Sequence, residues 1–206
     1  MIYILFYSDF DTESKKKATK LKLAKLQSQA VRHERDLYET PLECTRALIK
    51  NWYEDYPYKG MIWEPCCGPG KLAGQLRRYT PSVYCSDIHD YGYKHQNEVV
   101  DFLSVEKARA PIIITNPPFV IADHIINKGM QLGVRSMALL LKSNYWHAAS
   151  RVPLFKKYPP KTIAAMTWRP NFTGGKGGMM DCIWCIWEEG YAGNTEYVLF
   201  TKPFSL

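Results

Sequence analysis

Pro111-Ile112-Ile113-Ile114-Thr115-Asn116-Pro117-Pro118-Phe119 is the stretch on which the fold turns. Ile112 to Thr115 are all β-branched, do not alternate with polar residues, and are too few for a helix. That pattern reads as a strand covered on both faces, the kind found inside a parallel sheet. Pro117 and Pro118 end it, fixing the backbone and removing two N–H donors. What remains at the exit is rich in acceptors: the Asn116 side-chain oxygen and the carbonyls of Asn116 and Pro117. Such a cluster suits an incoming amino group, and Phe119 offers a flat face for an aromatic ring.

The same strand-then-polar-turn pattern recurs on either side. Met61-Ile62-Trp63 leads into Glu64-Pro65-Cys66-Cys67-Gly68-Pro69-Gly70, with a helix expected from Lys71 to about Tyr79. Residues 82–86 form a second strand ending at Asp87, and Glu98–Val100 a short third before Asp101, with a weak helix over 105–109. After Phe119 come a helix over 122–132, a strand over 136–142, irregular and helical sequence to Tyr158, and strands over 162–167, 181–187 and 197–201. Upstream, Thr40-Pro41-Leu42-Glu43 has the form of a capping box, with Thr40 as cap and Pro41 as first helical residue, opening a helix to about Tyr53. Alternating strands and helices give an α/β fold: a doubly wound, mostly parallel sheet with an antiparallel hairpin at one edge.

The 206 residues suit one domain with an extension. Hydrophobic residues are 46% and charged residues 23%, which excludes a low-complexity or disordered chain. No run of about 18 apolar residues could span a bilayer. The apolar start Met1–Tyr7 is short and lacks a basic flank or cleavage site, so a cytoplasmic protein is expected. The net charge of +7 lies wholly in Lys15–Arg35, which holds eight lysines and arginines against Glu34. Elsewhere 19 basic groups balance 19 acidic ones. Residues 1–37 therefore read as a basic extension of helical composition, either a surface helix or a segment ordered on binding, and 38–206 as the main domain.

Cys182-Ile-Trp-Cys185 has the spacing of a metal knuckle but no second pair, and on a strand the two thiols face opposite sides. The six cysteines read as buried and reduced, and no metal is expected. His89 and His95 read as solvated, and Trp184 and Trp187 as core. Gly68 and Gly70 could bring backbone close to a ligand at a helix start. The phosphate-loop pattern fails at Pro65 and Leu72, and the dinucleotide fingerprint has Ala73 at its last glycine. Asp87, at the end of the next strand, could accept from ribose hydroxyls, which points to a nucleoside cofactor.

Asn-Pro-Pro-Phe after a buried strand, preceded by Glu-Pro-x-x-Gly-x-Gly, resembles the amino-group methyltransferases that use S-adenosylmethionine. Among them it is similar to the small N6-adenine DNA methyltransferases of phages and prophages. The resemblance spans about Tyr38 to Trp187 and implies a Rossmann-like class I methyltransferase fold in a bacterial or phage-infected cell. It implies that Tyr38, Thr40 and Pro41 close over the methionine end of the cofactor. It places Glu64, Cys66, Gly68 and Gly70 in the glycine-rich turn, Asp87 at the ribose, and Asp101 and Phe102 around the cofactor adenine. Asn116, Pro117, Pro118 and Phe119 match the catalytic motif, with Asn116 also near the cofactor.

Arg169-Pro170-Asn171-Phe172 resembles a later segment whose aromatic packs on a flipped base, and Lys176, in Gly174–Gly178, is available for a phosphate. Cys66 departs from the usual first glycine of the turn. With 87 residues after Phe119, there is no room for a large target-recognition domain, so specificity should be relaxed or for a short site. The resemblance thus implies methyl transfer to the adenine N6 amine of DNA, with the basic segment 15–35 and the catalytic cleft as the nucleic-acid contacts. RNA adenine or a protein glutamine amide are the alternative substrates, and a catalytically silent nucleic-acid-binding module is the non-enzymatic one.

Overall fold

The computed structural model describes residues 38–57, 59–172 and 180–203. The basic segment 15–35, the helical reading of 1–37 and Lys176 fall outside the described residues.

The chain enters through helix α1 (Leu42–Leu48), which continues as a π-helical turn over Ile49–Tyr53. Strand β1 (Ile62–Glu64) leads through the glycine turn into α2 (Lys71–Leu76), followed by β2 (Val83–Asp87) and the short β3 (Glu98–Val99). A 3-10 turn (Phe102–Ser104) precedes β4 (Ile112–Thr115), and another (Phe119–Ile121) feeds α3 (Ala122–Gln131). Then come β5 (Ser136–Lys142), two 3-10 turns, α4 (Val152–Lys157), β6 (Thr162–Met166), β7 (Cys182–Glu188) and β8 (Glu196–Phe200).

The strands form one sheet in the order β3-β2-β1-β4-β5-β7-β6-β8. All are parallel except β7, which runs antiparallel between β5 and β6. The chain winds outward from β1 through β2 to β3, then returns to lay β4 and β5 on the other side. The break between β1 and β4 is the switch point, where open α/β sheets hold ligands beyond the strand carboxyl ends. β4 is buried throughout, as its unbroken β-branched run requires.

Two apolar layers flank the sheet. β7 shows the alternation directly: Cys182, Trp184 and Ile186 pack in one layer, and Ile183, Cys185 and Trp187 in the other. The two thiols of the Cys-x-x-Cys spacing thus lie on opposite faces, and the described residues contain no cluster able to hold a metal. All six cysteines are free. No helix among the described residues is long and apolar enough to cross a membrane.

Three local expectations are corrected. α1 starts one residue later than its capping box suggests: Pro41 is the cap, and no side chain caps it. Thr40 is buried, and its carbonyl accepts from Gln75 Nε2 (3.0 Å), so it is committed to packing on α2. Residues 105–109 are not helical. The turn comes earlier, at Phe102–Ser104, because Asp101 caps it by accepting from the Leu103 amide (2.9 Å). The β6–β7 hairpin does lie in the far half of the sheet, but β8 pairs parallel to β6 and takes the edge.

Candidate active site

Because β1, β2, β4 and β5 run the same way, their carboxyl ends bring Glu64, Asp87, Asn116 and Lys142 to one side of the sheet. Register sets the heights. Glu64 lies opposite Cys85, two residues short of Asp87, and β5 runs three residues beyond Leu139, the partner of Thr115.

On the β1–β2 side the turn is held by a carboxylate. Asp87 accepts from the amides of Gly68 (2.8 Å) and His89 (3.1 Å), one on each oxygen. Burial raises its pKa, and these two bonds work against the rise. Glu64 is only 2% exposed, and its Oε2 has no hydrogen-bond partner among the described residues. Burial, and then the charge of Asp87, push its pKa well above the ordinary value. The thiols of Cys66 and Cys67 are raised too, by burial and by the carboxylates of Glu64 and Asp87. They are not thiolate nucleophiles, since an unreactive thiol is what such surroundings produce. A buried carboxyl with an orphaned oxygen is a site for a cationic donor, because an ammonium there would relieve both the missing bond and the charge repulsion.

Gly70 begins α2 with φ +86°. A side chain there would be strained, and its Cβ would clash with the ring of Tyr93. The space cleared by Gly70 is therefore filled by Tyr93, which the sequence did not single out. Asp101 caps its own 3-10 turn, and Phe102 is buried edge-on against Trp63 (5.0 Å between centroids). Phe102 thus belongs to the apolar layer that contains Trp63.

On the β4 side, Asn116 Nδ2 donates to the Tyr38 carbonyl (2.9 Å), across 78 positions of sequence. With its donor end occupied, the acceptor Oδ1 is the end left for a ligand. Pro117 is buried and Pro118 exposed. The Pro118 carbonyl accepts from the Ile121 amide (3.1 Å), while no donor among the described residues meets that of Pro117. Phe119 is partly exposed, with Lys142 Nζ 4.9 Å from its centroid.

The Tyr38–Pro41 segment is fastened over the strand ends at three points. Tyr38 accepts from Asn116, Glu39 pairs with Lys71 (2.8 Å), and Thr40 accepts from Gln75, which Thr45 also bonds. The Tyr38 ring meets Phe172 edge-on at 5.8 Å. Tyr38 thus touches both Asn116 and Phe172, whereas Arg169 is exposed and paired with Asp181 (2.8 Å). Gln75 gave no recognisable sequence signal: a glutamine on a short helix is unremarkable until the fold places Thr40 beside it. An open cleft of about 580 Å³, lined by Glu54, Lys59, Met61 and Arg78 among others, lies at the amino ends of β1 and β2, away from these residues.

No family model and no curated protein matches the sequence. Solved structures do match. A Listeria monocytogenes protein described as a class I S-adenosylmethionine-dependent methyltransferase superposes with TM-score 0.55 at 15% identity, covering 88% of this chain and 71% of that one. A Vibrio vulnificus protein described as a type I restriction-enzyme modification subunit gives 0.56 at 14%, over 98% of this chain and 54% of that one, so this chain spans about half its length. A Pyrococcus horikoshii protein described as an RNA methyltransferase gives 0.56 at 14%, over 75% and 87%. Together with the strand order and the single antiparallel strand, these likenesses give the chain the fold of the class I S-adenosylmethionine-dependent methyltransferases.

Proposed function

We propose that this chain transfers the methyl group of S-adenosylmethionine to the N6 amine of adenine in DNA, at a short or loosely defined site. The observation that carries the reading is the Asn116 amide, whose nitrogen is held by the Tyr38 carbonyl, leaving its oxygen as an acceptor in the same loop as the Pro117 carbonyl, which no donor among the described residues meets. An adenine amine is a weak nucleophile because its lone pair is delocalised into the ring. Two fixed acceptors, one on each N–H, draw it toward tetrahedral geometry and stabilise the positive charge that develops. Fixed dipoles of this kind contribute about 3 kcal/mol each in measured cases, because they need no reorganisation during reaction.

The cofactor fits the β1–β2 side: Glu64 for the cationic methionine end, the Gly68–Gly70 turn and Cys66 beside it, and Asp87 for ribose hydroxyls. Tyr38 and Pro41 would close over it, on a segment that Thr40 fastens to α2, and Asp101 and Phe102 would border its adenine. Bound there, it supplies an electrophilic methyl group. A base within a duplex cannot reach such a site and must be flipped out, at a cost of a few kcal/mol. Phe119 and Phe172 would hold it by stacking, worth roughly 1–3 kcal/mol per base. Arg169, Lys176 and the segment 15–35 would meet phosphates. A modification subunit and an RNA methyltransferase among the fold's relatives are in keeping with a nucleic-acid substrate.

The test is methyl transfer from labelled S-adenosylmethionine to duplex DNA, single-stranded DNA, RNA and a protein extract, each offered separately. Label in DNA recovered as N6-methyladenine supports the reading. Label confined to RNA or to protein glutamine overturns the substrate, and cofactor binding without any transfer overturns the activity.

A further inference from the structure

Charge along the folded domain is sorted by sign. From His124 to Met180 the chain carries nine lysines and arginines and no aspartate or glutamate. The core does not demand this. Asn144, His147, Ala149, Ser150, Lys156 and Lys157 are all exposed, and a glutamate would keep any of these positions just as soluble. Excluding one sign from an exposed surface makes a potential that a polyanion can use.

Several of the cations are already matched by acids beyond the ends of the stretch: Arg151 with Asp123, Lys161 with Glu188, and Arg169 with Asp181. Lys142, Lys156 and Lys157 enter no ion pair among the described residues. Lys142 ends β5 with its ammonium over the Phe119 ring. The connection after it is tied to α3, the helix that leaves the Asn116–Phe119 loop. The Tyr145 hydroxyl (2.6 Å) and Arg151 Nε (3.0 Å) both donate to Asp123 in the first turn of α3. Phe155 then packs on Trp146 (4.4 Å) and Tyr145 (5.8 Å), fixing α4 to the same cluster. A connection that carries no acid of its own is thus anchored beside the candidate catalytic loop, with Asp123 at its border.

We propose that Lys142 and the β5–β6 connection over 143–161 form a ledge for the phosphates of the DNA strand that carries the target base. Lys142 sits nearest the flipped nucleotide, and Lys156 and Lys157 meet phosphates farther along. This rests on the DNA reading above and assigns part of the phosphate contact to residues 142–161 in addition to segment 15–35.

The test uses the full chain and a fluorescent DNA duplex, with binding followed by anisotropy across a salt series. Each phosphate contact contributes about 0.9 to the slope of log affinity against log salt, so Lys156→Gln/Lys157→Gln should flatten it by about 2 and Lys142→Gln by about 1. The double variant should also bind roughly 50-fold more weakly at 0.1 M salt, the two lines converging near 1 M. Lys59→Gln/Arg78→Gln, which removes the same charge near the amino ends of β1 and β2, should leave the slope as it is. Cofactor affinity, measured by calorimetry, should be unchanged in all three, which also reports intact folding.

Steep wild-type binding that the ledge variants leave untouched, or that the control pair flattens equally, overturns the ledge while the DNA reading stands. A wild-type chain that binds and methylates RNA but not DNA overturns both.

Discussion

The two strand ends that flank the switch point are built on opposite principles. Behind β1 and β2 the turn is closed and acidic: Glu64 and Asp87 are buried, Asp87 is bonded twice to backbone amides, and Tyr93 fills the space over Gly70. Behind β4 and β5 the turn is open and carries no acid. Asn116 and Phe119 are partly exposed, and the acceptors that no described residue uses belong to an amide and a backbone carbonyl. On the proposed function, the difference follows from what each side would hold. Buried carboxylates suit a cationic ligand that stays through the reaction. Neutral, preorganised acceptors suit an uncharged amine that becomes cationic only as it reacts, because a full negative charge there would bind the product as well as the transition state.

The comparison breaks most sharply at Asn116. Asn116→Ala removes the amide acceptor and the bond to Tyr38 while leaving the β1–β2 turn intact. Methyl transfer should fall about 100- to 1000-fold, as with a lost oxyanion donor, while cofactor affinity changes only a few-fold. Rapid transfer in the variant would remove Asn116 from the chemistry. A parallel collapse of cofactor binding would show that the two sides are not separable.

On the closed side the matching test is Gly70→Ala. The residue would sit at φ +86° with its Cβ in steric clash with the Tyr93 ring. Left-handed backbone costs an alanine roughly 1–2 kcal/mol and overpacking about 1–3 more, so thermal unfolding should show a loss of about 3 kcal/mol. Combining it with Tyr93→Ala removes the clash but keeps the backbone strain. The double variant should be less damaged than the sum of the singles by at least about 1 kcal/mol. Additivity would mean that Tyr93 can move aside freely.

These two sites also mark how far the sequence could be read. The Asn116 loop was legible because its information is local: a β-branched run, two prolines and an acceptor-rich exit need no knowledge of the rest of the chain. The order of elements was legible for the same reason, helped by glycine and proline at the boundaries. What failed was long-range. Gly70 could be read as room for a ligand, but nothing near it says that a tyrosine 23 positions later takes the space. Thr40 matches a capping box by spacing, yet its carbonyl accepts from Gln75, and the cap falls on Pro41 with Leu42 as the first helical residue. The insertion of β7 between β5 and β6 depends on which apolar faces meet, and a run such as Cys182–Trp187 looks the same at an edge or inside a sheet. The acid-free stretch was present in the sequence throughout, hidden because the remainder outside Lys15–Arg35 averages to zero.

Glu64→Gln tests the closed side by charge rather than shape. The folded-state pKa of Glu64 is raised by burial and by Asp87, so the stability tied to this group is full below its ordinary value of 4.5 and declines as pH rises toward the raised one. Glutamine does not ionise, so the variant should melt higher than wild type at pH 8, with the gap closing as pH falls toward 4.5. Its cofactor affinity should drop at the same time, because the charge that costs stability is the one that would hold the ammonium. A variant that melts lower at pH 8, or binds cofactor as tightly, would show that the carboxylate is structural.

Arg169 gives the smallest effect, and its sign is the informative part. Its pair with Asp181 is about two-thirds exposed on the arginine side and nearly as exposed on the other (66% and 59%). Water and salt screen such a pair, so breaking it should change stability by less than about 0.5 kcal/mol. The same weakness means that Asp181 does not lock Arg169 away, and a phosphate, which accepts the same fork of donors, can displace the carboxylate. If Arg169 serves the open side, Arg169→Gln should weaken DNA binding and flatten its salt slope by about 1, while Asp181→Asn, which frees the guanidinium, should tighten it. Equal and opposite shifts at nearly constant melting temperature would place Arg169 with Lys142 on the acid-free side. Two variants that both leave DNA binding unchanged would mean that the Arg169–Asp181 pair serves only to join the ends of the β6–β7 connection.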